Sequence, residues 1–119
     1  MPQDQLGSLG ENLAVDYLIS RKYRILERNF RNRIGELDIV ASKDGMLCFI
    51  EVKTRTSEEY GDPLEAITPG KQRKIILMAQ SYLNARGLDD LQVRFDVMAV
   101  DFKNPTDYTI QFFENAFET

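Results

Sequence analysis

The chain has 119 residues, 43% of them hydrophobic and 29% charged, which is an ordinary globular composition at the length of one domain, so residues 1–119 are read as a single domain. A formal net charge of −4 does not announce a polyanion binder, and the absence of histidine excludes serine–histidine triads, histidine general bases and histidine zinc sites. The single cysteine, Cys48, lies in the apolar run 46–50 and cannot form an internal disulfide. Residues 1–10 lack a signal-peptide pattern and no apolar run approaches the roughly 20 residues of a membrane span, so a cytoplasmic protein without membrane contact is expected.

In chain order, Leu9, Leu13, Tyr17 and Leu18 recur at helical spacing and predict a helix over residues 8–21, with Ser8 as N-cap and Glu11 completing a capping box. Residues 23–30 read as a strand. Residues 36–42 and 46–54 read as two more, joined at Asp44-Gly45, a strong hairpin signal. A polar loop follows over residues 58–63, where Tyr60 is a candidate packing lid or base-stacking ring. Thr68-Pro69 then opens a second helix with Ile75, Ala79, Tyr82 and Leu83 on its apolar stripe and Gly87 as a left-handed cap. Strands over residues 93–102 and 108–113 complete the chain. A long helix between the third and fourth strands implies a parallel crossover, hence an α/β domain with a mixed five-stranded sheet flanked by helices.

Charge is unevenly distributed. Six basic residues (Arg21, Lys22, Arg24, Arg28, Arg31, Arg33) face a single acid, Glu27, between positions 21 and 33, and such a patch can grip phosphates even on an acidic protein. Arg31 and Arg33, just ahead of the second strand, are candidate contacts to nucleic acid, as are Arg55, Lys71, Arg73 and Lys74.

The hairpin carries the chemistry. If Asp44-Gly45 is a two-residue turn, Lys43 lies opposite Met46, and by continuation Asp38 opposite Glu51 and Glu36 opposite Lys53; a three-residue turn shifts the pairing by one and leaves Asp38 diagonal to Glu51. These four side chains then share one face, leaving Leu37, Ile39, Ile50 and Val52 to pack on the other. Like charges opposed across a strand pair destabilise a sheet, and a divalent cation resolves the conflict because carboxylate oxygens are natural ligands of Mg²⁺ or Mn²⁺. Lys53 beside such a cation can hold a water or a scissile phosphate. A solvated face with a cross-strand ion pair is the plainer explanation of Glu51-x-Lys53 alone.

Several blocks, in order, resemble the YraN-like family: Gly10-Glu11, Gly35-Glu36-Leu37-Asp38-Ile39-Val40, Phe49-Ile50-Glu51-Val52-Lys53-Thr54-Arg55, Gly61 and Ala66, Lys71-Gln72-Arg73, and Arg94-Phe95-Asp96-Val97. The resemblance spans about residues 6–100. It implies a restriction-endonuclease-like core and kinship with PD-(D/E)xK endonucleases, archaeal Holliday-junction resolvases among them. Carried over, Asp38 and Glu51 are metal ligands, the Val52 backbone carbonyl a further ligand, Lys53 the catalytic lysine, and Glu11 an acid approaching from the first helix. Glu36 takes either a metal-binding role or a pairing role with Lys53. Leu37 stands where the superfamily pattern has proline. By the same resemblance the expected function is a Mg²⁺- or Mn²⁺-dependent endonuclease acting on DNA, branched or structured DNA in particular, with a homodimer as the expected assembly. The alternatives are a non-catalytic nucleic-acid-binding or adaptor module on the same fold, and a nuclease acting on RNA.

Overall fold

The computed structural model describes residues 3–56, 61–88 and 91–118. The elements run α1 (Gln3–Ser20), β1 (Arg24–Arg31), β2 (Glu36–Lys43), β3 (Met46–Thr56), a 3-10 turn (Pro63–Ala66), α2 (Pro69–Arg86), β4 (Gln92–Asn104) and β5 (Asp107–Phe117). The strands form one sheet in the order β1-β2-β3-β4-β5, antiparallel except for the parallel β3–β4 pair that α2 connects. This is the mixed five-stranded sheet, flanked by helices, that the element order implies.

The helices cover opposite faces, because alternate residues of the central strands pack with different partners. Val40, Phe49 and Val97 pack with Ile75, Met78, Ala79 and Tyr82 of α2. Ile39, Ile50 and Met98 pack with Ala14, Val15 and Leu18 of α1. The sheet is therefore buried on both sides, as expected where a crossover helix covers a parallel pair. α2 starts and stops as its sequence requires: Thr68 caps the Lys71 N–H, Pro69 occupies the first turn, and Gly87 ends the helix at φ +63°. No described helix is long and apolar enough to cross a membrane.

Three expectations change. α1 begins at Gln3, not Ser8, so Ser8 is not its cap and Glu11 completes no capping box. Its buried residues are Leu6, Gly10, Ala14, Val15 and Leu18, while Leu9, Leu13 and Tyr17 of the expected stripe are only partly buried. A Cβ on Gly10 would lie 2.1 Å from Thr54 Oγ1, so the helix rests directly on β3 and only glycine fits there. β5 also runs longer than expected because a bulge between Phe95 and Val97 extends its pairing to Phe117. Tyr60, with Glu58 and Glu59 of the expected loop, lies outside the described residues, as do Asp89 and Asp90.

Buried Asp96 fixes that bulge. Its carboxylate accepts Arg94 Nε at 2.8 Å and a second guanidinium nitrogen at 2.9 Å, and Asn115, left-handed at φ +51°, donates its N–H at 2.8 Å. Asp96 is thus a structural acid, with Arg94 as its partner. Phe112 packs on the α1 side and Phe113 and Phe117 on the α2 side, so these rings are core. Cys48 is buried, and burial first, then nearby Asp96, pushes its thiol up to about 11, so it is a packing residue.

Candidate functional site

The hairpin register is the expected one from Lys43↔Met46 to Ile39↔Ile50, and there the ladder stops. Beyond that point β2 stays with β1 as far as Arg31↔Glu36, while β3 stays with β4 as far as Thr56↔Phe102. The sheet forks. Asp38 and Glu51, the next residues of each strand, face each other across the fork as neighbours rather than as a ladder pair. The expected Glu36–Lys53 pairing does not form, because Glu36 follows β2 outward and pairs with Arg31 at 3.4 Å. The shared-face expectation also bends: Leu37 packs with the α2 cluster while Ile39 packs with the α1 cluster, so alternation breaks at Asp38.

The Asp38 side chain fills the gap that the missing ladder leaves. Its Oδ2 accepts the Val52 N–H at 2.8 Å, replacing the main-chain carbonyl that β2 would have offered. In a strand the N–H and C=O of one residue point to the same side. The Val52 carbonyl therefore also faces the fork, where the sequence motif places a ligand.

The electrostatics of the pair are unfavourable. Burial raises the Asp38 carboxyl, the Val52 N–H lowers it, and Glu11 and Glu36 raise it further. Burial likewise raises Glu51, and the adjacent Asp38 adds to this, against a smaller opposing pull from Lys53 and Lys71. The two carboxyls are close enough to share a hydrogen bond. Burial and the neighbouring Lys71 lower Lys53, although the two acids favour its charge. Two desolvated acids with one N–H between them and a lysine alongside form a frustrated charge cluster.

Two cavities meet at the fork. An open cleft of about 530 Å³ on the α1 side includes Glu11, Arg31, Asp38, Val52 and Lys53 in its lining. A smaller one of about 210 Å³ lies under α2, lined by Glu36, Glu51, Lys71, Lys74, Ile75 and Met78. Glu36 lines both. Glu11 reaches the cleft from α1, one residue beyond the Gly10–Thr54 contact that seats the helix. Its Oε1 accepts Asn29 Nδ2 at 2.9 Å and Arg28 nitrogens at 3.3 and 3.4 Å, while no partner is described for Oε2. Asn29 makes this contact from a left-handed backbone at φ +54°, which asparagine tolerates.

The predicted basic contacts divide. Arg31 lines the cleft and Lys71 the smaller cavity, while Arg33 and Arg73 are exposed and line neither. Arg55 is committed within the fold: it pairs with Asp101 at 2.7 and 2.9 Å and donates to the Gly61 carbonyl at 2.6 Å. The basic run 21–33 splits as well, since Arg24 pairs with Ser42 near the hairpin turn and Arg31 with Glu36 at the fork. That separates them by roughly 20 Å along the strand. Asn29 and the Gly10–Thr54 contact escape a motif reading. A glycine inside an otherwise helical stretch was the available signal for the latter.

Among the described residues no three acidic or cysteine side chains gather closely enough to cage a cation unaided. The donor set at the fork is two carboxylates and a main-chain carbonyl, with Glu11 at the rim. That set does not suit zinc. It suits Mg²⁺ or Mn²⁺, since hard cations favour oxygen donors and Mg²⁺ keeps several waters while binding through one or two carboxylates.

Fold and site together define an α/β domain whose mixed sheet opens at one end to present an acidic pair and a lysine. The chain belongs to the uncharacterised protein family UPF0102, whose model matches residues 10–100. It is the YraN family that the sequence blocks resemble. The chain is similar to a UPF0102 protein of Chlorobium phaeobacteroides strain BS1, 48% identical over 124 residues covering 100% of this chain and 98% of the relative. It is also similar to one of Geobacter sulfurreducens, 48% identical over 113 residues covering 95% of this chain and 88% of the relative.

Proposed function

We propose that this protein is a metal-dependent phosphodiesterase that cuts DNA, structured or branched DNA in particular. The observation that carries the reading is the fork: half-buried Asp38 and Glu51 oppose each other with Lys53 two residues along the same strand. A fold with no use for an external cation gains nothing from two desolvated acids in contact. Asp38, Glu51 and the Val52 carbonyl would hold Mg²⁺ or Mn²⁺, with Glu11 Oε2 as the nearby fourth oxygen. The cation, when bound, supplies an acidified water and positive charge for the phosphoryl oxygens. Lys53 donates to a phosphoryl oxygen and counters the charge that builds there. The Val52 N–H holds Asp38 in one orientation, leaving its other oxygen for the site. Arg31 lies at the cleft rim, where it can meet a flanking phosphate. DNA as the polymer, and a two-fold dimer as the working form, rest on the resemblance to junction resolvases.

The test is cleavage of labelled linear, flapped and four-way DNA with Mn²⁺, comparing wild type with Lys53→Ala. We expect cleavage by the wild type and a loss of at least about 100-fold in the variant, with folding and DNA binding retained. Binding without cleavage across every substrate, metal and RNA control would favour the non-catalytic adaptor instead.

A further inference from the structure

The smaller cavity has a character that the acidic pair does not explain. Ile75 and Met78, 8% and 1% exposed, form its apolar part, and Lys71 and Lys74 stand over it from the first turns of α2. Neither lysine makes an ion pair with a described carboxylate within 4.0 Å, so they are not simply neutralising Glu51. Lys74 lies along the loop before β2, where a Cβ on Gly35 would meet its side chain at 3.8 Å. Two amides of the helix start are taken, Lys71 N–H by Thr68 Oγ1 and Gln72 N–H by the Thr68 carbonyl, so the ammonium groups supply most of the anion attraction. Glu36, the other acid in the lining, is held by Arg31. With Glu51 engaged at the metal site, the cavity is left with two cations above an apolar floor.

We propose that this cavity is a backbone subsite: Lys71 and Lys74 hold a phosphate of the substrate strand next to the scissile one, and Ile75 and Met78 receive its deoxyribose. A sugar–phosphate unit matches both halves of the lining, apolar on one side and anionic on the other. Glu36 borders both cavities, so a strand crossing the fork can occupy the cleft and the subsite together. This inference rests on the phosphodiesterase reading and names how that site grips its polymer. Lys71 and Lys74 are positioning residues in it; Lys71 also neighbours Lys53, so its variant is read by binding and KM rather than by kcat.

The probe is the dinucleotide pTpT, titrated with Mg²⁺ present to engage Glu51 and followed by amide chemical shifts, against wild type, Lys71→Gln and Lys74→Gln. The expected result is shifts at Gly35 and residues 71–75 and about tenfold weaker binding in either variant, with Mn²⁺ binding retained. On duplex DNA each variant flattens the slope of log affinity against log salt by about 1. Shifts confined to the α1-side cleft, or undiminished pTpT affinity in both variants, overturn the subsite. The two readings fail separately. Lysine-dependent pTpT binding with no cleavage by the wild type upholds the subsite and sinks the phosphodiesterase. Cleavage with an unchanged KM in both variants sinks the subsite and leaves the enzyme standing.

Discussion

Asp96 and the Asp38–Glu51 pair are carboxylates sunk in the same sheet, and the protein treats them in opposite ways. Asp96, fully buried, meets a two-pronged guanidinium and a backbone N–H, and Arg94 in turn reaches the Tyr23 hydroxyl at 2.7 Å. The guanidinium is held charged by that partnership, its pKa pushed well above the usual range. At the fork, two acids share one N–H and a lysine whose own charge is disfavoured by burial. Where this fold needs a buried acid for architecture, it supplies a matching cation from within. At the fork it does not, and under the function proposed above a bound cation would supply the missing charge. That difference sets a matched buried acid against an unmatched pair without reference to any motif.

The largest effect should come from breaking the satisfied region. Arg94→Ala leaves Asp96 buried and unpaired, and stability should fall by about 3 kcal/mol, read as a lowered urea midpoint at unchanged m-value. Metal binding at the fork should survive in whatever fraction folds. An Arg94→Ala protein as stable as wild type would erase the contrast between the two acids.

The next effect probes how the fork gets its third acid. Gly10→Ala places a methyl 2.1 Å from Thr54 Oγ1, so α1 must lift away from β3, for a loss of about 2 kcal/mol despite the better helix propensity of alanine. Glu11 sits one residue on and should leave the cleft with the helix. Mn²⁺ affinity, measured by calorimetry, should therefore fall along with stability, and a second change, Thr54→Ala, which removes the clashing hydroxyl, should restore part of both. Arg94→Ala, by contrast, should lower stability alone. Equal behaviour of the two variants toward Mn²⁺ would mean that Glu11 plays no part in the site.

How much of this was legible beforehand follows from which forces are local. The Asp44-Gly45 turn sets the hairpin register by itself, and so five pairs from Lys43↔Met46 to Ile39↔Ile50 follow from counting. The fork does not follow, because it depends on β1 and β4 each keeping their own partner past the point where β2 and β3 part. Asp38 and Glu51 were identifiable as neighbours; that Asp38 would stand in for a missing carbonyl was not. Arg55 looked like a phosphate contact because its partner, Asp101, is 46 residues away. The start of α1 was misplaced because Ser8 with Glu11 three residues on has the pattern of a capping box, while the helix in fact begins at Gln3. Asn29 carried no motif at all, since its value lies in a left-handed backbone that turns its amide toward Glu11.

The smallest effect is the most discriminating, because it has opposite signs in the two regions. Both fork carboxyls are raised by burial, Asp38 further by Glu11 and Glu36 and Glu51 further by Asp38, so in the metal-free folded protein they hold protons at a pH where the unfolded chain has released them. Their contribution to stability is thus fully present below the ordinary carboxylate range, about pH 4, and is lost as pH rises through their elevated folded values. The metal-free protein should accordingly lose stability on going from mildly acidic to mildly alkaline buffer, and Mn²⁺ should return it. Glu51→Gln removes the repulsion and should raise metal-free stability at pH 8 by about 1 kcal/mol while flattening that pH dependence. Asp96→Asn should do the reverse, weakening the fold because it breaks a matched pair. Urea melts of both variants with and without Mn²⁺ decide the matter. If Glu51→Gln destabilises the metal-free protein as Asp96→Asn does, the fork is one more satisfied structural pair, and the case for a cation there falls with it.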